Sequence, residues 1–153
     1  MIKTGITITV CFLMCFSISA QQGSGHVSYH QIHSEVSPGK DGMMIQRVMN
    51  RGTIIATNPA DPFHLATQTC SGINIISKDG QPVESHGSCD AVDADGDIWW
   101  LTYSNKPSGN TWQIAGGTGK YKNMTGGGTT QPLTMNQEAG MLTISYEGSW
   151  KMN

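Results

Sequence analysis

The chain has 153 residues, of which 13% are charged, with a formal net charge of −2 and 19 glycines. So few charges, with Lys40, Arg47, Arg51, Lys106, Lys120 and Lys122 scattered rather than massed, exclude an electrostatic nucleic-acid binder. Glycine exceeds the usual ~7%, and Ser, Thr, Asn and Gln stand where charges would be, which suits an exported, strongly bent β protein.

The opening "MIKTGITITVCFLMCFSISAQQ" has a positive Lys3, an apolar run over residues 6–16 and a small-residue exit at Ser17, Ser19 and Ala20. That layout predicts a cleaved signal peptide over residues 1–20, and hence a secreted or periplasmic protein. The run falls short of the roughly 20 apolar residues a spanning helix needs. No later stretch is apolar enough, so no stable membrane span is expected after cleavage. Val10 and Met14 precede Cys11 and Cys15 where lipidation would want a small residue. Residues 21–153 are then one domain of ordinary size.

After a polar lead-in over residues 21–25, "HVSYHQIHSEV" and "MMIQRVMNRGTIIAT" read as strands, separated by the turn "SPGKDG". His26 and His30 share a face while His33 points the other way, so a three-His metal site would need a bulge; no metal is expected. "NPADP" is a loop, because its prolines block regular pairing. Next comes a hairpin with Asp79-Gly80 as its turn. Counting outward from Lys78 opposite Gln81 brings Cys70 directly opposite Cys89, within reach of a disulfide.

"CDAVDADGDIWWLTYS" alternates Asp93, Asp95 and Asp97, but its Gly96 lies between the second and third acids, where a calcium loop would not have it. A three-residue turn, Ala94-Asp95-Gly96 with Gly96 left-handed, accounts for the same residues. It sets Ala91 opposite Trp99, Cys89 opposite Leu101 and Gly87 opposite Tyr103, with Trp99 inward and Trp100 outward. "TWQIA" is a further strand. The run "GGTGKYKNMTGGGTT" fails as a phosphate loop: Tyr121 follows Gly119-Lys120, and Ile114 stands where the first glycine belongs. A reversal through Gly116, Gly117 and Gly119 that tucks Tyr121 inward fits instead. In "MLTISYEGSWKM" Leu142, Ile144, Tyr146, Gly148 and Trp150 alternate with polar residues, one face buried and one wet. No stretch has a sustained helical period. Short antiparallel strands with glycine kinks predict an all-β fold, a single antiparallel β-barrel of about eight strands.

"GGTGKYKNMTGGGT", preceded by "WQIA" and followed by "YEGSWKM", resembles the barrel superfamily of allene oxide cyclases and dirigent proteins. The resemblance covers residues 111–152 and implies an eight-stranded barrel, often oligomeric, with an apolar cavity that steers reactive lipid or phenolic intermediates. That family's acidic and basic cavity residues find no counterpart at specific positions here.

The inward aromatics Trp99, Tyr103, Trp112, Tyr146 and Trp150 are the ligand-cavity candidates, with the alternative that they simply fill the barrel. Glu84, His86 and Asp90 alternate on the face opposite Cys89, towards solvent, and no nucleophile elbow occurs, so no catalytic set is assigned. No cofactor motif is present. Three readings stand: a non-enzymatic barrel binding a small apolar molecule, a cyclase- or isomerase-like enzyme of the same architecture, and a surface interaction module. In the last, outward Trp100 would meet a partner or a second copy in a homo-oligomer.

Overall fold

The computed structural model describes residues 20–152. The signal-peptide reading falls on residues 1–20, all but the last outside the described residues.

Eight antiparallel strands close in sequence order into one barrel. They are β1 (Gln21–Pro38), β2 (Met44–Ala56), β3 (Thr67–Ile76), β4 (Pro82–Val92), β5 (Ile98–Lys106), β6 (Gly109–Gly117), β7 (Thr125–Asn136) and β8 (Met141–Lys151). β1 pairs with β8 from Gln21↔Trp150 to His30↔Met141 and seals the sheet. The expected polar lead-in is therefore strand from its first residue. Gln21 also accepts a hydrogen bond from Trp150 Nε1 at 3.1 Å, which ties the start of β1 to the end of β8.

Cys70 faces Cys89 and is bonded to it. The turn that produces this register differs from expectation. Ser77 N–H donates to Gln81 O at 2.8 Å and Gly80 N–H to Ser77 O at 2.9 Å, closing a loop of three residues, Lys78-Asp79-Gly80. Only Gly80 has a positive φ there, at 78°, whereas a two-residue turn of the primed type would need two such residues. A register shift beside Ile75 and Ile76 leaves Val83 unpaired and cancels the extra loop residue, so the cysteines still meet. The next hairpin has the expected three-residue loop. Asp93 N–H donates to Asp97 O, Gly96 has φ 86°, and Ala91↔Trp99, Cys89↔Leu101 and Gly87↔Tyr103 pair.

Gly116 and Gly117 are strand residues rather than part of the reversal, which begins at Thr118 and passes through a short 3-10 turn at Gly119–Tyr121. Both are pressed from the side: Gly116 by the Trp100 ring and Gly117 by Tyr121 Cβ. A side chain has no room at either. The β6–β7 ladder is the shortest, with Thr111↔Thr129, Trp112↔Gly128 and Gln113↔Gly127 alone. Beyond it β7 continues on β8, with a register shift between Pro132 and Thr134. Proline is tolerated there because its missing N–H faces no strand.

The disulfide closes a loop across two strands that the ladder already aligns, so its removal should cost stability without changing the fold. The Cys70→Ser/Cys89→Ser double variant should lose roughly 3 kcal/mol in urea unfolding while keeping its β-sheet circular dichroism. An unchanged midpoint would show that the bridge does not constrain the unfolded chain.

Candidate functional site

The two ends of the barrel differ. At the end holding the β2–β3, β4–β5 and β6–β7 connections, the interior is packed with rings. The β2–β3 loop bends over this end through two side-chain-capped turns: Asn58 Oδ1 accepts from Ala60 N–H at 3.0 Å and Asp61 Oδ1 from Phe63 N–H at 2.8 Å. This drives Phe63 into the barrel, with ring centroids 4.7 Å from Trp99 and 4.4 Å from Trp150; Trp99 in turn lies 4.7 Å from Tyr121. Trp99 is 1% exposed, Trp150 2% and Tyr121 0%. Of the candidate cavity residues, Trp99 and Trp150 thus have their faces taken by Phe63, a contact between distant segments that no sequence period announces.

The rings fit because glycines lie beneath them. Tyr103 covers Gly72 and Gly87, Trp112 covers Gly148, and Trp150 covers Gly23. A Cβ at any of these would collide with the ring.

The three acidic residues and the glycine-rich reversal form one clasp over this end. Lys120 Nζ lies 2.6 Å from Asp93 Oδ2 and 2.8 Å from Asp95 Oδ2, so the cation these carboxylates hold is the chain's own ammonium. Lys120 N–H donates to Asp97 Oδ2 at 3.2 Å, and the Asp97 carboxyl occupies the space a side chain at Gly119 (φ 48°) would need. The Tyr121 hydroxyl lies 2.9 Å from both Asp93 Oδ2 and Pro62 O, sharing its proton between them. Burial pushes the Asp93 carboxyl up, but hydrogen bonds from Lys120, Tyr121 and the Asp97 and Asp95 N–H groups outweigh it and hold the group below its ordinary value. Among the described residues, no three His, Cys, Asp or Glu side chains form a metal-binding set. The bulge between Gln31 and His33 does bring His33 to the outer face with His26 and His30, and all three are exposed there.

Two ionisable groups lie close together under the loop. The Asp61 carboxyl sits inside the barrel against Trp150, above Gly23, and burial raises its pKa. The Tyr146 hydroxyl is buried with no hydrogen-bond partner, and its pKa is raised by burial and by the Asp61 charge. Sequence reasoning passed over Asp61 because "NPADP" reads only as a loop.

The opposite end has nothing but short turns. Deep in the middle, the Tyr29 hydroxyl donates to Gln68 Oε1 and lies 3.4 Å from Cys70 Sγ. Above them the inward side chains Leu101, Tyr103, Leu142 and Ile144 are only partly buried, packed against the edge of the ring cluster. Trp112 stays at 8% exposure and donates from Nε1 to Thr129 O at 3.3 Å across the β6–β7 ladder. The inward wall then turns polar: Gln46 Nε2 donates to Ser34 Oγ at 2.9 Å, Asn74 Nδ2 to Gln46 Oε1 at 3.0 Å and Asn105 Nδ2 to Ser85 Oγ at 2.9 Å.

The outer wall carries two open grooves. One of about 460 Å3 runs past His86, Thr102, Ser104, Thr111 and Gln113; another of about 370 Å3 runs past Ser24, His26, Thr129, Gln131 and Glu147. Outside too, Glu84 pairs with His86 at 2.7 Å and Lys106 at 3.2 Å, as an outward face requires. Trp100 points outward and is 41% exposed.

The fold is that of the dirigent proteins. The chain is similar to the pterocarpan synthase dirigent protein GePTS1, with 14% identity, 90% of this chain and 88% of that one covered, and a TM-score of 0.55. It is similar also to the pterocarpan synthase dirigent protein PsPTS1, at 13% identity, 86% and 96% coverage and a TM-score of 0.40. Neither a protein-family model nor a curated protein sequence matches the chain. At this identity the likeness extends to the eight-stranded barrel and not to chemistry.

The clasp makes the fold acid-sensitive in a definite window. Because the folded Asp93 pKa is depressed, its contribution is complete above the ordinary Asp value of about 3.9 and fades as pH falls through the lower folded value. Asp93→Asn should lower unfolding free energy at neutral pH by roughly 2 kcal/mol and flatten its acid dependence below about pH 4. Parallel acid slopes in the two proteins would place the group outside the clasp.

Proposed function

We propose that the protein is exported, loses residues 1–20, and binds one small, largely apolar molecule in the open half of its barrel. Export is supported by the Cys70–Cys89 bond, which oxidising compartments favour. The observation that carries ligand binding is the asymmetry of the interior. One half is packed with rings, while Leu101, Tyr103, Leu142 and Ile144 remain partly exposed in the other although they point inward. A concave, mostly apolar wall with a few polar groups at its rim is the usual make-up of a small-molecule site. An eight-stranded barrel is just wide enough for one such ligand.

A binding site of this kind needs no reacting groups in the open half, and among the described residues the ionisable side chains that point into it are tyrosines. Burial raises the pKa of both Tyr103 and Tyr29, so both stay protonated at neutral pH. The enzyme reading draws support from a different place, the buried pair Asp61 and Tyr146, since a carboxyl with a raised pKa is suited to proton transfer.

Two measurements separate these readings. N-phenyl-1-naphthylamine should gain fluorescence on binding the native protein, and Leu142→Trp, which fills the mouth, should weaken it at least about tenfold. Equal affinity in the variant would remove the binding reading. The Asp61 carboxyl, followed by carbon NMR, should titrate above an ordinary aspartate; a normal value would remove the enzyme reading.

A further inference from the structure

We infer that the open end of the barrel recognises a neutral ring bearing several hydroxyl groups, a saccharide or the sugar of a glycoside, through a belt of amide and hydroxyl side chains set above Tyr103. The inference rests on the ligand-binding reading above and names the chemistry of its ligand.

The belt follows from register. Gln46 faces Asn74 across β2–β3, Asn74 faces Ser85 across β3–β4, Ser85 faces Asn105 across β4–β5, and Asn105 faces Asn110 across β5–β6. Directly paired residues share one face of a sheet, and this face is the inner one, because Tyr103, Trp112 and Val48 lie two positions away along the same strands. Ser34 on β1 joins through its bond from Gln46. Six uncharged polar side chains thus line five consecutive inter-strand steps where a barrel interior would ordinarily be apolar. Desolvating such groups is costly unless they are hydrogen-bonded, so a ligand that covers them must replace the bonds they make with water.

The side-chain bonds within the belt fix its orientation and leave capacity for a ligand. Asn74 and Asn105 each use one amide N–H on a neighbour, so the Oδ1 acceptors point elsewhere, and the second N–H of Gln46 is likewise spare. An amide offers a donor and an acceptor side by side, which matches adjacent hydroxyls that each give and take one bond. Just below, Tyr103 lies flat over Gly72 and Gly87 beside Trp112, an aromatic floor for the C–H face of a ring.

The charge pattern excludes ionic ligands. By register no Asp, Glu, Lys, Arg or His of the eight strands points inward; Glu35, Arg47, Glu84 and Lys106, the charged residues next to the belt, alternate to the outside. Lys40, Asp41, Lys78 and Asp79 sit in exposed turns beyond the rim. An ion in the mouth would lose its hydration and gain no countercharge.

Calorimetry on the full mature chain tests this with phenyl β-glycosides of glucose, galactose, mannose and N-acetylglucosamine, the corresponding free sugars, and glucosamine and glucuronate. At least one neutral glycoside should bind, and glucosamine and glucuronate should bind at least about tenfold more weakly. A free sugar binding as well as its glycoside assigns recognition to the sugar alone; a preference for the glycoside adds the apolar wall. Asn74→Leu and Asn105→Leu should each weaken that glycoside about tenfold without a matching loss of N-phenyl-1-naphthylamine binding, since leucine only adds apolar wall. Asn105→Asp, which leaves the shape intact, should move preference towards glucosamine, a change that a purely structural amide would not produce. Dye binding without any sugar binding, or belt variants that bind sugar normally, would overturn the inference alone. Failure of both dye and sugars would overturn the ligand-binding reading beneath it.

Discussion

Beneath several of the large rings inside this barrel, Tyr103, Trp112 and Trp150 among them, the wall lacks a Cβ. Eight strands enclose a lumen about as wide as its own side chains, so a tyrosine or tryptophan can lie flat only where the sheet is stripped to backbone. Gly72 and Gly87 do this for Tyr103, Gly148 for Trp112, and Gly23 for Trp150. These glycines are therefore the least replaceable parts of a rigid wall. Overpacking, rather than loss of turn geometry, is what a side chain at these positions would cause.

The same constraint divides the molecule into two halves. Where a loop supplies one more ring, Phe63, the lumen is filled and the clasp of Asp93, Lys120 and Tyr121 holds it shut. Where only hairpin turns close the strands, nothing fills the last layer and inward positions carry Gln46, Asn74, Ser85 and Asn105 instead. Stability and recognition are thereby kept apart. The ring-packed half and its clasp contribute stability, and the open half is free to be polar.

The likeness to dirigent structures concerns this shared wall, at 14% identity and a TM-score of 0.55. In this chain every ionisable residue of the described strands other than tyrosine faces out. Asp61, the acid that does enter the lumen, comes from a connection rather than from the wall, and loops are where barrels of one architecture differ most.

What the sequence determined by itself was local and periodic. Strict alternation in "MLTISYEGSWKM" gave the face of β8, Gly96 gave a three-residue turn and with it the inward Trp99, and the outward count from Asp79-Gly80 brought Cys70 to Cys89. That last result held although the turn is one residue longer, because an unpaired Val83 restored the register that two buried strand faces demand. What only the tertiary structure decided was everything that depends on chain closure. The pairing of Gln21 with Trp150, the descent of Phe63 onto Trp99, the meeting of Asp61 with Tyr146 and the alignment of amides and hydroxyls from six strands into one belt join residues far apart in the chain. Periodicity reports which way a side chain points, and it is silent about what stands on the other side of the lumen.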